Sequence, residues 1–412
     1  MTAREERLAH PPRRSRRGTV VAAGAVAAAM LAGWLGVSHP ARHHTERTAP
    51  APPAGAIIAS GSCGRDLTRV PGEGSGPLDG GLLVTDAHIN SVDRPGFESV
   101  AAARRWLPAD APVIVVRISH IARAYPLAIL QWHEVVNDTV AGRPLAITYC
   151  PLCNTAAAYS RLVAGKSVML HSSGALLAGA AVLTVAGTQQ LWSQASGEAL
   201  QAAPAPLTWV PSDTLSLAGA AAADPSLQVL DRPYPGFDYN QSPYGDVATP
   251  GLQPRLFLGW VDEHLDPKAR LLGVVVHGAA RAWQYKALAV HRVHNDSVAG
   301  EPVVVVYRPD VTGIGDSPDL RHAPTVGTAA VYAVSVAGRT LHFRLAGPQA
   351  MRDQETGSTW DLSGHAVEGP LTGIHLRPLQ FLNTYWFAWV AFHAKTSVWP
   401  PVNATACSVS RH

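Results

Sequence analysis

Cys150 and Cys153 stand two residues apart in the string Thr148-Tyr149-Cys150-Pro151-Leu152-Cys153. At a strand end, a turn of that length can bring both side chains together, so two thiolates can grip one metal ion. Two ligands do not complete a tetrahedral site. His133 and Glu134 upstream and His171 downstream are of suitable type to supply the rest, and Cu, Zn or Fe would all accept such a set. The same spacing suits a dithiol that cycles with a disulfide, although a Pro-Leu spacer in a β context departs from the thioredoxin-like arrangement. A structural disulfide or a pair of inert thiols is the remaining reading.

Other polar groups carry less chemistry. Asp353, Thr356 and Ser358 lie in Asp-x-x-Thr-Gly-Ser-x-Trp, where Asp353 is an acid, base or ligand on one reading, and Thr-Gly-Ser is a turn beside a core Trp360 on the other. His133-Glu134 has no second His at zincin spacing, and no phosphate-binding glycine loop, dinucleotide fingerprint or nucleophile elbow is present. Cys63 and Cys407 flank the body, where an oxidising compartment would let them pair and tie its ends together.

The elements that position the Cys pair occur twice. Ala122-Arg123-Ala124-Tyr125 recurs as Ala280-Arg281-Ala282-Trp283, a shift of 158 residues. At that shift His133 falls on His291, Asn137-Asp138 on Asn295-Asp296, Val140-Ala141-Gly142 on Val298-Ala299-Gly300, and Tyr149 on Tyr307. After an insertion rich in Asp, Pro and Gly, Thr155-Ala156-Ala157 matches Thr328-Ala329-Ala330. A unit of this length is too long for a solenoid repeat, so the expectation is an α+β, strand-dominated body of two pseudo-symmetric repeats, 82–254 and 255–402, with a tail at 403–412. Features in both copies read as scaffold. The Cys pair occurs in the first copy alone, with Arg308 and Val311 at the matching positions.

Within the first copy, 113–118 and 122–125 read as a hairpin around Ser119-His120, and Pro126 opens a helix over 127–133. Asn137-Asp138 and Ala141-Gly142 mark turns, and 145–149 is a buried strand that delivers the Cys pair at its end. Residues 156–160 and 168–171, split by Gly165, read as a further hairpin.

Composition sets the compartment. Lys plus Arg is 33 against 30 for Asp plus Glu, with the excess at the amino end, which leaves no nucleic-acid-binding surface to propose. Arg13, Arg14, Arg16 and Arg17 form a basic cytoplasmic segment, 1–18, before an uncharged apolar run, 19–37, long enough for a signal anchor or a signal peptide core. The following 38–81 reads as a flexible Pro/Ala/Gly-rich linker. The membrane is then a partner through the amino-terminal segment, and the body lies on the extracytoplasmic side, anchored or secreted. Hydrophobic residues make up 47% of the chain, enough for a sizeable core in that body.

Ala122-Arg123-Ala124-Tyr125-Pro126-Leu127, Trp132-His133-Glu134-Val135-Val136-Asn137-Asp138-Thr139 and the string from Thr148 to Ala156 resemble the signature of the prokaryotic DUF3179 family, a domain of unknown function. The resemblance runs from about Gly81 to Trp399 and includes Asp266-Pro267-Lys268 and Trp386-Phe387-Ala388-Trp389. It implies export or membrane attachment in many members and a site around the paired cysteines, without a reaction. An acidic Asp-Arg-x-Thr-x-Ser-x-Trp-Ser-Gln stretch typical of the family is replaced here by residues 183–194, which keep Trp192-Ser193-Gln194 and lose the charged residues. His171 likewise occupies a place the family usually gives to a small residue. The functional expectation is metal binding through Cys150 and Cys153. The rivals are a non-enzymatic extracytoplasmic scaffold or ligand-binding protein, and a thiol-disulfide redox protein.

Overall fold

A computed structural model describes residues 82–84, 89–245, 247–251, 253–257 and 261–402. The basic segment, the apolar run at 19–37, the linker, Cys63 and Cys407 lie outside the described residues. Among the described residues no helix is long and apolar enough to cross a membrane.

Strands dominate, and they fall into two strings with the same order. The first runs β1 (Pro112–Ile118), β2 (Ile121–Pro126), α1 (Leu127–His133), β3 (Val135–Val140), β4 (Arg143–Cys150), β5 (Thr155–Ser160), β6 (Leu170–Leu177), β7 (Ala180–Val185), β8 (Leu191–Ser193), β9 (Ala199–Gln201), β10 (Trp209–Val210), β11 (Ser212–Ser216), α2 (Leu217–Ala223) and β12 (Gln228–Leu230). The second runs β13 (Arg270–Val276), β14 (Ala279–Gln284), α3 (Tyr285–Leu288), β15 (Val293–Val298), β16 (Glu301–Arg308), β17 (Thr328–Ala333), β18 (Phe343–Leu345), β19 (Ala350–Asp353), β20 (Thr359–Asp361), β21 (Ala366–Glu368), β22 (Arg377–Pro378), β23 (Phe381–Tyr385), α4 (Trp386–Phe392) and β24 (Ser397–Trp399).

Pairing follows the same plan in each. The first string gives sheets β11-β1-β2-β12, β10-β5-β4-β3 and β6-β7-β8-β9, and the second gives β23-β13-β14-β24, β22-β17-β16-β15 and β18-β19-β20-β21. β12 lies parallel to β2 and β24 parallel to β14, in sheets that are otherwise antiparallel. Short strands at Leu82–Val84 and Phe97–Ser99 extend the first string's sheets at β6 and β12.

Turn chemistry fixes the central hairpins. Val140 pairs with Arg143 and Val298 with Glu301, leaving Ala141-Gly142 and Ala299-Gly300 as two-residue loops. All four loop residues have positive φ, the geometry whose twist matches flanking strands, and glycine is needed at the more strained second position. The preceding Asn-Asp pairs play one role twice. Asp138 accepts from Arg123 and the Tyr125 hydroxyl, while Asp296 accepts from Arg281 and the Trp283 indole. Asn137 bonds both backbone groups of Leu170 at the start of β6, and Asn295 bonds both of Phe343 at the start of β18.

The helix over 127–133 forms as expected, with Pro126 at its N-cap. The hairpin expected from 156–160 and 168–171 does not form. Ala164-Gly165 instead turns a small local hairpin, Leu162–Val163 with Lys166–Ser167, after which the chain enters a different sheet and β6 pairs with β7. Each string buries its own apolar cluster, one around Tyr125, Ile129 and Tyr149 and the other around Trp283, Phe343 and Trp360.

His365 is expected to give this scaffold a pH response. His365 stacks on His375 with ring centroids 3.8 Å apart. Burial lowers its pKa; Asp361 opposes that shift, while His375 and Arg117 of β1 add to it. Because the folded pKa lies below the ordinary 6.5, the unfolded chain takes up the proton first. This contribution to stability is therefore complete above pH 6.5 and lost as pH falls from there through the folded pKa. Urea midpoints between pH 7.5 and 5 are expected to fall more for the native chain than for His365→Asn; an equal fall in both would show that the pair plays no part.

Candidate functional site

β4 ends at Cys150, and the turn Pro151-Leu152-Cys153 leads through Asn154 into β5. Asn154 adopts φ 54°, a left-handed conformation that Asn tolerates, and accepts from the Tyr149 hydroxyl at 3.0 Å. The reversal packs both cysteines inside the body, at 1% and 0% exposure, and both are free thiols.

Their surroundings come from both strings. Ala180 and Ala181 of the β6–β7 region, Ala248, and Tyr385, Phe387 and Ala388 at the β23–α4 junction form one apolar cluster with the pair. The Cys153 carbonyl accepts from the Thr384 hydroxyl at 3.0 Å and the Tyr385 backbone N–H at 3.3 Å. The cysteine turn of the first string thus seats on β23 of the second.

The matching turn of the second string seats on β11 of the first with different chemistry. Arg308 donates to both Asp213 carboxylate oxygens, at 3.1 and 2.7 Å, and to the Leu362 carbonyl, while the Ser216 hydroxyl at the start of α2 donates to Asp310 at 2.9 Å. One seam is therefore an ion-paired latch and the other holds two sulfurs.

Hydrogen bonds order the sulfurs. The Thr155 hydroxyl donates to Gln194 Oε1 at 2.7 Å, so it accepts from the Cys153 thiol 3.0 Å away. Gln194 Nε2 donates in turn to Thr148 Oγ1 at 2.9 Å and the Thr155 carbonyl at 3.2 Å. Burial pushes the Cys150 thiol well above its ordinary pKa; its bond to Cys153 and the Glu134 carboxyl add to this, and the Cys153 backbone N–H opposes it. Cys150 is thus held as a thiol unless something replaces the proton.

Glu134 is the acid beside them. It caps α1 in a left-handed conformation, φ 54°, and its Oε1 accepts from Tyr244 at 3.0 Å. Burial raises its pKa against the bonds from Ser172 and Tyr244. Burial also pushes Tyr385 up to about 12.

The other expected ligands are engaged elsewhere. His133 Nδ1 donates to the Asn90 carbonyl at 2.7 Å, and burial lowers its pKa, so Nε2 is left to accept from the Tyr239 hydroxyl at 3.0 Å. His171 Nδ1 meets Ser91 Oγ at 2.7 Å. Among the described residues no group of three or more His, Cys, Asp or Glu side chains could hold one ion. The structure therefore holds Cys150 and Cys153 in one cluster, with Glu134 near enough to act on the Cys150 charge, and leaves both histidines with other partners.

A family model described as a protein of unknown function (DUF3179) matches residues 86–396. The chain belongs to the DUF3179 family. No curated protein and no solved structure matches it.

In this DUF3179 chain the polar cluster of the second string closes its own turn. Asp353 accepts from the Thr356 backbone and hydroxyl and from the Trp360 indole, and Thr356 meets Ser358 at 2.7 Å. In the first string Trp192 donates instead to the Ala205 carbonyl, which satisfies the indole without an aspartate. Thr155, Gln194, Tyr244 and Thr384 are site residues that the sequence reading did not single out. Trp192-Ser193-Gln194 was the available signal for Gln194, a family feature kept where its charged neighbours are gone.

Proposed function

We propose that this protein is an exported or membrane-anchored metal-binding protein in which Cys150 and Cys153 together hold one soft ion, Cu(I). The observation that carries the reading is a pair of free, hydrogen-bonded thiols enclosed at the junction of two strings. Zinc in a closed site takes four donors, and iron sites also draw on more than two. Cu(I) is soft and satisfied by two thiolates, which suits a pocket whose remaining walls are Ala, Phe and Tyr. Two thiol protons leave as the ion enters; Glu134 is the nearby group to receive one, and the other is released to solvent. The two strings are, on this reading, pseudo-symmetric copies of one unit. One seam of that unit carries Arg308 and Asp310, and the other carries the sulfur pair.

Metal content of the full chain, purified from membranes or medium without chelators, tests the reading. The native chain is expected to carry about one copper per molecule with sulfur-only scattering in X-ray absorption. The Cys150→Ala/Cys153→Ala variant is expected to carry none, and equal content in the two would overturn the proposal. The mutual hydrogen bond of the thiols favours a second reading, a dithiol that cycles with a disulfide. It predicts metal-free protein with a reversible two-electron thiol titration.

A further inference from the structure

A cavity of about 40 Å³ lies where the two strings meet, one wall formed by Tyr149 and Asn154 beside the cysteine turn and the other by Arg270, Tyr285, Thr312 and Thr328. We propose that it is a binding site for a small planar oxyanion of three or four non-hydrogen atoms, of the formate, nitrite or bicarbonate class. This does not depend on the metal reading.

Charge, size and an orphaned hydroxyl support it. Arg270 is the charged residue of the lining, and it is bonded to Asp316, which is not part of that lining. Arg270 is thus the cation of the cavity wall, set among hydroxyl and amide groups, with its carboxylate partner packed behind the wall against Gly313. The volume has room for about three water molecules, which admits a formate and excludes an aromatic acid. Tyr149 and Tyr285 commit their protons to Asn154 and Asn383. The Thr312 hydroxyl, on a residue 3% exposed, has no hydrogen-bond partner among the described residues. A buried hydroxyl without a partner costs free energy, and an oxyanion beside Arg270 would accept its proton.

Thermal unfolding of the full chain with sodium formate tests this, because a ligand of the folded state alone raises the midpoint with its concentration. A saturable rise beyond that in equal sodium chloride is expected, with no such rise from formamide or benzoate. Thr312→Val is expected to leave the ligand-free midpoint unchanged or higher and to weaken formate binding about tenfold, as for one hydrogen bond to a charged group. The Cys150→Ala/Cys153→Ala variant should respond to formate as the native chain does. A formate effect equal to that of chloride or formamide, unaltered formate binding by Thr312→Val, or loss of the response with the cysteines would each overturn the proposal.

Discussion

Arg308→Met is expected to lower the unfolding free energy by about 3–5 kcal/mol, the usual cost of removing one partner from a buried ion pair. The Arg308 side chain is 4% exposed and Asp213 14%, so the carboxylate left behind would be only partly rescued by water. Tyr332 and the Leu362 carbonyl would lose their donor as well. Because Asp213 belongs to β11 and Arg308 to β16, the damage falls on the seam between the strings. Equilibrium denaturation in guanidinium measures it. Arg308→Met/Asp213→Leu, which removes both charges, should recover part of the loss, since an apolar pair of similar size can replace an ionic one. A loss below about 1 kcal/mol for the single variant, the range of an exposed pair, would mean that the latch contributes no more than a surface contact.

The latch also marks how far the sequence could be read. The hairpin β1–β2, the helix after it and the strand β4 are written locally, in β-favouring apolar runs and in turns at Ser119-His120 and Ala141-Gly142, whereas Asn137-Asp138, which reads as a turn, lies inside β3 paired with Ala146 and Leu145. Local signals mislead at Gly165, where the turn is real but encloses four paired residues, and the next strand pairs with β7 in another sheet. Comparing the copies pointed to Cys150 and Cys153 because Arg308 and Val311 cannot reproduce them. It also filed Thr155 under scaffold, since Thr328 stands at the matching position. The partners of the cysteine turn, Thr384 and Tyr385, lie more than two hundred residues away, and no local pattern announces them. His133 and Glu134 are adjacent in sequence but α1 ends between them. Glu134, at positive φ, bonds Tyr244 and Ser172 near Cys150, and His133 bonds Asn90 and Tyr239.

Gln194→Leu is expected to cost about 2–6 kcal/mol and to disturb the cysteine pair from a distance. Leu has a similar volume, so the change removes hydrogen bonds with little loss of packing. Gln194 is 1% exposed, and its side chain serves the Thr155 hydroxyl, the Thr148 hydroxyl and the Thr155 carbonyl. Two buried groups would lose a partner outright at about 1–3 kcal/mol each. The Thr148 hydroxyl keeps its bond to the Ala157 carbonyl and limits the total. With Oε1 gone, the Thr155 proton has no fixed acceptor and can turn toward Cys153, so the Cys153 thiol is no longer held as a donor. Two measurements separate the effects: chemical denaturation for stability, and the rate of Cys153 alkylation in a Cys150→Ala background for the thiol. Gln194→Leu should speed alkylation beyond what Thr148→Val does, because Thr148 meets the amide nitrogen and leaves the Thr155–Cys153 link in place. Equal rates in the two variants would mean that looser packing accounts for the change. The retained Trp192-Ser193-Gln194 would then be a core feature with no hold on the sulfurs.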